Sequence, residues 1–268
     1  MERYHRAFQP RDVFTLWGIL QLLRKYPGKV PDLELMFDCV DWPVIKSSDY
    51  AGPNASVPPP LFRYCADDET LDIVFPDWSF WEWESKQGYK QSDLASQCTH
   101  RFKIYIEGSA WSVSEKYILA CDSVTLLIKL RYYDFFTRGL MAMHHYWSTN
   151  DVDKCRSIKY AVDWGNNNTQ KAHAIGKAAS EFIHRELKMD SVYGYMFHLL
   201  NEYAKLLRFK PEVPKNAVEL CSESMACPAK GLEKKFMMES LVKSPSDTSP
   251  CRMPPPYDPA SLHTMLRT

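Results

Sequence analysis

The sequence predicts an α/β fold, and three observations carry that reading. Residues 102–129, FKIYIEGSAWSVSEKYILACDSVTLLIK, divide into an apolar run of strand length (102–106), a loop of small residues (107–112), a helix starting near Ser112 or Ser114, and a second apolar run (124–128), which together make one βαβ unit. Further short apolar runs, LELMF at 33–37 and those at 61–65 and 71–75, are set off by Pro- and Asp-containing turns. Four longer stretches, 12–26, 151–164, 169–187 and 191–209, repeat their apolar residues at helical spacing. A chain of 268 residues, 45% hydrophobic, can bury one large core or two modest ones, so length and composition are compatible with a two-lobed body.

In chain order, 12–26 (DVFTLWGILQLLRKY) places Val13, Leu16, Trp17, Leu20 and Leu23 or its neighbours on one helical face, and Pro27-Gly28 stops it. The run at 33–37 leads into Cys39-Val40-Asp41-Trp42-Pro43, where the proline forces a turn and leaves Asp41 just past a strand end. An aspartate there caps a turn or faces a ligand; residue type alone does not separate the two. Residues 47–60, with Gly52, Pro53 and Pro58-Pro59-Pro60, form a surface loop. PDWSFWEWES, 76–85, gathers Trp78, Phe80, Trp81 and Trp83, which serve a core, a lobe interface or a stacking site for a sugar or base.

The loop of the βαβ unit lies at the carboxyl end of its first strand, where open α/β sheets bind ligands. Gly108 permits close backbone approach, Ser109, Ser112 and Ser114 offer hydroxyls, amides at the helix start face the loop, and Lys116 adds a cation one turn in, so a phosphate fits. The same residues also make an ordinary turn and N-cap. Neither GxGxxG nor GxxxxGK[ST] occurs, which leaves a dinucleotide fingerprint and a P-loop unsupported.

Between 131 and 147 the chain is aromatic-rich and carries His144-His145, neighbours expected to point apart; no HExxH or Cys-pair spacing accompanies them, and no metal site is proposed. The helix at 151–164 is expected to end at Gly165-Asn166-Asn167. Beyond Pro211 periodicity fades into a Pro- and Cys-rich tail expected to wrap the body, with one short helix near 233–242.

The 33 basic and 33 acidic residues cancel, so nothing favours a nucleic-acid or anionic-membrane partner. No stretch approaches the roughly 18 apolar residues of a membrane span, and MERYHRAFQPRD lacks the apolar centre of a signal peptide. Eight cysteines and two N-x-[ST] sequons, at Asn54 and Asn167, nevertheless suit an oxidising secretory lumen.

Several long segments carry a resemblance: DLELMFDCVDWPVI, LDIVFPDWSFW, QCTHRFKIYIEGSAWSVSEKYILACDSVTLL, RYYDFFTRGLMAMHHYW and the ELCSESMACPAKGLEKKFMMESLVKSPSDTSPC tail. Across nearly its whole length the chain resembles the plant branch of the CAP10-domain glycosyltransferases, which is similar to the Rumi-type protein O-glucosyltransferases. The resemblance implies an inverting transferase with two Rossmann-like lobes of the GT-B kind, a UDP-sugar (glucose or xylose) as donor, a protein or glycan acceptor, no metal or other cofactor, and a place in the lumen of the endoplasmic reticulum or Golgi. It implies that Asp41 is the general base, that Gly108, Ser109, Trp111, Ser112 and Lys116 meet the donor, and that Trp78 and Phe80 border its cleft. The corresponding divisions are an acceptor-side lobe at 1–85, a donor lobe at 86–210 and the tail at 211–268.

Three departures qualify that expectation. Ser114 stands where Rumi-type members carry arginine. The upstream anchor and stem are absent from the chain as written. WSFWEWE runs almost directly into SKQGYKQSDLASQC, where the family has several dozen residues and a loop facing the donor. The N-terminal lobe is therefore expected to be incomplete and activity weakened, with a non-catalytic remnant that binds donor, acceptor or a family partner as the alternative.

Overall fold

The computed structural model describes residues 11–81, 95–128, 130–252 and 258–260. The join between Trp83 and Gln87 lies outside them. The described chain is mixed α/β, built on two parallel sheets of three strands each.

The first sheet orders β1 (Met36–Phe37), β2 (Leu61–Arg63) and β3 (Ile73–Val74), with Met36 opposite Leu61 and Phe62 opposite Ile73. Its strands are shorter than the apolar runs that announce them. The second orders β4 (Phe102–Tyr105), β5 (Val124–Ile128) and β6 (Trp147–Thr149), with Phe102 opposite Val124 and Leu126 opposite Trp147. Every residue of β5 is buried, as a central parallel strand covered on both faces requires.

Helix α1 (Arg11–Lys25) packs beside the first sheet on a face that keeps the expected Trp17 and, next to Leu23, Leu22, but turns Leu16 and Leu20 to its half-buried margins. Phe14, Thr15, Trp17, Gly18, Gln21 and Leu22 are buried, whereas Leu23 is 41% exposed. Two polar residues sit in that buried stripe because they have partners: the Thr15 hydroxyl lies 2.6 Å from Tyr64 Oη, and Gln21 Oε1 accepts from Val242 N at 2.9 Å.

Helices α2 (Glu115–Leu119), α3 (Lys154–Asn167) and α4 (Thr169–Glu186) accompany the second sheet. Instead of ending at Gly165, α3 runs through it, since the Phe102 ring occupies the space a Cβ would need, at 2.7 Å. Gly176 lets α4 approach closer still, where a Cβ would lie 2.6 Å from the Ser123 backbone. Helix α5 (Met189–Leu206), assigned by sequence to the donor lobe, lies against the first sheet: Tyr195 Oη donates to Val74 O at 2.8 Å, and the Tyr203 ring meets Phe62 edge-on at 4.9 Å.

In the tail, α6 (Ser222–Ala226) and α7 (Gly231–Glu239) bury Ala226, Phe236 and Met237 in the same core. They are tied to α1 by Trp17 Nε1 donating to Ser240 Oγ at 2.9 Å and Ser246 N donating to Lys25 O at 2.9 Å. Cys98 and Cys121 form a disulfide that joins the approach to β4 with the end of α2. Both sequon asparagines are exposed.

Candidate functional site

Asp41 stands four residues past β1, on a turn braced from below. The Arg63 guanidinium, 2% exposed, donates to Asp38 Oδ2 at 2.7 Å and to Trp42 O at 2.8 Å, while Asp72 Oδ2 accepts from Val44 N at 3.0 Å and Ile45 N at 2.9 Å. Asp38, not Asp41, caps this turn, accepting from Val40 N at 3.2 Å. The Asp41 carboxylate faces away from this turn: its Oδ1 pairs with Arg11 Nη1, and the side chain is 41% exposed. Arg11 in turn lies over the Trp78 ring, 4.3 Å from the centroid, and donates to Cys39 O at 3.3 Å.

Trp78 continues the connection. Its ring, 8% exposed, meets Tyr64 at 5.2 Å and Trp111 at 6.1 Å, the latter nearly perpendicular. Trp111 is the buried end of the loop after β4, while Gly108 and Ser109 are exposed and the space over the Gly108 Cα is open. The loop is held from both sides. Ser112 N donates to Tyr105 Oη at 3.0 Å, and the Glu107 carboxylate accepts from Arg131 N at 3.0 Å and Tyr132 N at 2.8 Å. Burial raises the Glu107 pKa against those amides. The Trp111 indole Nε1 is buried without a hydrogen-bond partner among the described residues.

Two features of the expected anion site differ. Helix α2 is one turn of five residues, too short for the aligned dipole that a long helix presents to an anion. Ser112 and Ser114 spend their hydroxyls on each other at 2.8 Å. Lys116, expected to place a charge at the loop, is 6% exposed; its ammonium donates to Ser79 Oγ at 2.7 Å and Val113 O at 3.2 Å and pairs with Asp77 Oδ2 at 3.4 Å. Phe80 belongs to this interior network, its ring 4.7 Å from the Lys116 Nζ and 5.4 Å from the Phe135 ring. The cation is thus engaged by a buried carboxylate 39 residues earlier in the chain.

Beneath the loop, Thr137 Oγ1 donates to Asp134 Oδ1 at 2.9 Å and lies 3.4 Å from Glu115 Oε2. Burial, with Asp77 nearby, raises the Asp134 pKa to about 7 although Lys116 opposes it, and burial with Asp134 and Glu107 nearby raises Glu115 well above the carboxylate range. His144 and His145 do not point apart: Met143 takes a left-handed φ of 60°, and the two rings lie 4.5 Å apart. His145 Nδ1 accepts from Met141 N at 2.9 Å, and burial lowers its pKa to about 4.

The structure therefore brings Asp41, Trp78, Trp111 and the exposed Gly108-Ser109 turn into one connected region, and places Lys116 and Phe80 behind it. Arg11, Arg63 and Asp72 shape the region without any sequence signal, since each acts through a partner 20 or more residues away. A carboxylate can take a proton from a hydroxyl, and a loop open at a glycine can seat an anionic group; one contact path joins the two here.

A sequence model described as Glycosyl transferase family 90 matches residues 1–85 and 82–268, two pieces that meet at 82–85. An O-glucosyltransferase rumi homolog of Anopheles gambiae is 21% identical over 295 residues, covering 81% of this chain and 73% of that protein. Protein O-glucosyltransferase 2 of Danio rerio is 23% identical over 276 residues, covering 76% of this chain and 53% of that protein. Protein O-glucosyltransferase 1 of Homo sapiens is 19% identical over 272 residues, covering 72% and 67%. The chain thus spans about half the length of the zebrafish relative.

Proposed function

Because the chain belongs to glycosyl transferase family 90, we propose that it transfers glucose from UDP-glucose to a hydroxyl of a protein acceptor, with inversion, in the lumen of the secretory pathway. The observation that carries the reading is the contact path from Asp41 through Arg11 and Trp78 to Trp111, which joins a carboxylate beyond β1 to the loop beyond β4. The two sheets then correspond to acceptor-side and donor-side lobes, and donor and acceptor meet where their strand ends face.

An acceptor hydroxyl is a weak nucleophile. As its oxygen attacks the anomeric carbon, Asp41 takes the proton, the bond from that carbon to the β-phosphate oxygen breaks, and UDP leaves from the opposite face, so a single displacement inverts the centre. The leaving diphosphate needs donors at the moment charge develops. The amides and the Ser109 hydroxyl of the exposed Gly108-Ser109 turn are the candidates on this side, since Lys116 is engaged by Asp77 and the Trp111 indole N–H is buried.

The rate is expected to be low. The mosquito alignment runs over 295 residues yet draws on 81% of this 268-residue chain, about 217, which supports a segment present in the relatives and lacking here. The two family matches meeting at 82–85 support its location. The Cys98–Cys121 disulfide and the exposed sequons support an oxidising lumen, and among the described residues no helix is long and apolar enough to cross a membrane. UDP-glucose and UDP-xylose should be offered separately to the chain and to its Asp41→Asn variant, with released UDP as the readout; release from neither donor by the parent chain refutes the proposal.

A further inference from the structure

Cys65 lies two residues past β2 and is 1% exposed. Its thiol donates to the Asp41 carbonyl oxygen at 3.1 Å, and it shares a buried core with Trp111, whose backbone amide favours the charged form of the sulfur against burial. One atom thus lies between the turn that carries Asp41 and the loop that carries Gly108, Ser109 and Trp111. These segments leave different sheets, and the strands of the two sheets share no ladder. Arg11 and the paired indoles connect the side chains; Cys65 connects the backbones.

We infer that Cys65 is a positioning residue, a neutral thiol that fixes the Asp41 backbone against the donor loop. The inference rests on the function proposed above and adds to it the element that sets the distance between base and donor. The bridge needs a group that gives one proton and accepts another, at the end of one short bond from Cβ. A thiol does both weakly, a hydroxyl does both strongly, and a methyl group does neither. Burial pushes the Cys65 thiol up to about 12, so it keeps its proton over the whole working pH range. Its neutrality also leaves the nearby carboxylate without a competing charge.

Ser and Val at this position separate bridging from packing. If Cys65 only fills space, Cys65→Val matches the parent and Cys65→Ser, which buries a hydroxyl, is the poorer variant. If it bridges, the order reverses: Cys65→Ser keeps the parental affinity for UDP measured by calorimetry, and Cys65→Val loses about three- to tenfold, the worth of one hydrogen bond. The same reversal is expected in UDP release, with kcat falling in Cys65→Val while the acceptor KM holds. Infrared spectra supply a second readout, independent of UDP: the Cys65 S–H stretch, the band of the parent chain that is missing from the folded Cys65→Ser chain, should lie to the red of a thiol in an apolar solvent. An unshifted S–H band, or Cys65→Val equal to Cys65→Ser in UDP affinity, overturns the bridge while leaving the proposed function standing. A parent chain that does not take up UDP overturns the proposed function and this coupling with it, whatever the S–H band shows.

Discussion

Replacing Lys116 by methionine should destabilise the fold far more than a surface lysine would. The Lys116 side chain is 7% exposed and that of Asp77 is fully buried, with 3.4 Å between charges. At an effective dielectric constant near 20 that separation corresponds to about 5 kcal/mol of attraction. In the intact pair, desolvation of both ions offsets most of this; removing one partner leaves the other charged and buried, which typically costs about 3–5 kcal/mol. Asp77 keeps the Ser79 amide at 2.8 Å, but Ser79 Oγ loses its ammonium at 2.7 Å. Burial lowers the Lys116 pKa, while Asp77, Tyr117 and Asp134 raise it by more, so the net shift is upward. The stabilisation is therefore complete below the unfolded-state pKa and is lost only as alkaline pH passes through the folded one. A chain of this size changes Tm by about 2–4 °C per kcal/mol, so Lys116→Met should melt roughly 6–20 °C lower at neutral pH. The double variant Asp77→Asn, Lys116→Met removes both charges and should recover most of the loss. Thermal melts by circular dichroism of parent, single and double variants decide it; a single variant within about 2 °C of the parent, or a double variant no better than the single, refutes the buried-pair account.

Asp41→Asn should keep the fold and lower UDP-sugar turnover by about a hundredfold to ten-thousandfold, and an unchanged rate in a folded variant would remove Asp41 as base. Inserting between Trp83 and Gln87 the segment proposed above to be lacking should raise turnover by at least about a hundredfold, the usual worth of one preorganised donor at a leaving group; equal rates with and without it would show that the short join is harmless. Asp134 has a folded pKa of about 7 against an unfolded value near 3.8, raised chiefly by burial and by Asp77, so the folded state binds the extra proton and this group makes stability fall as pH rises from about 4 to 7. Asp134→Asn keeps the acceptor for Phe136 N and Thr137 N and should flatten that slope, with the largest gain in Tm at pH 8; a gain independent of pH would contradict the assignment. Gly176→Ala should cost about 1–3 kcal/mol or more in urea unfolding, because the atom 2.6 Å from its new methyl is Ser123 backbone, which cannot rotate away.

Much of this structure is legible where neighbouring residues decide it. The apolar runs at 102–106 and 124–128 become β4 and β5, and the periodicity of 169–187 becomes α4 almost residue for residue. Reading fails where a distant partner decides. Leucine spacing sets the buried face of α1 off its centre, since Thr15 and Gln21 are taken in by Tyr64 and Val242. Gly165 looks like a stop signal and serves as a socket for Phe102. β6 and α6 are three and five residues long, too short to show a period. At the candidate site, the Gly108 loop is legible from its own residues and a role for Asp41 only from the family resemblance, and neither foretells that Lys116 is engaged by Asp77 or that Arg11 stands between Asp41 and Trp78. Local pattern says which groups exist; tertiary geometry says which are already spoken for.

The tail that locks onto α1 has a consequence for how the chain is made. Trp17 waits for Ser240, a partner 223 residues downstream, and Gln21 for Val242. At about 5–20 residues per second, synthesis separates the two by roughly ten to forty-five seconds. During that interval the nascent helix has the indole of Trp17 and the side chain of Phe14 without Phe236 and Met237 of α7, which share their core. The core around α1 is therefore complete only once α7 has been made. A stop codon anywhere before Ser240 would leave an apolar N-terminal helix uncovered, the kind of surface that chaperones retain, so shortened products should be degraded even when every candidate site residue is present.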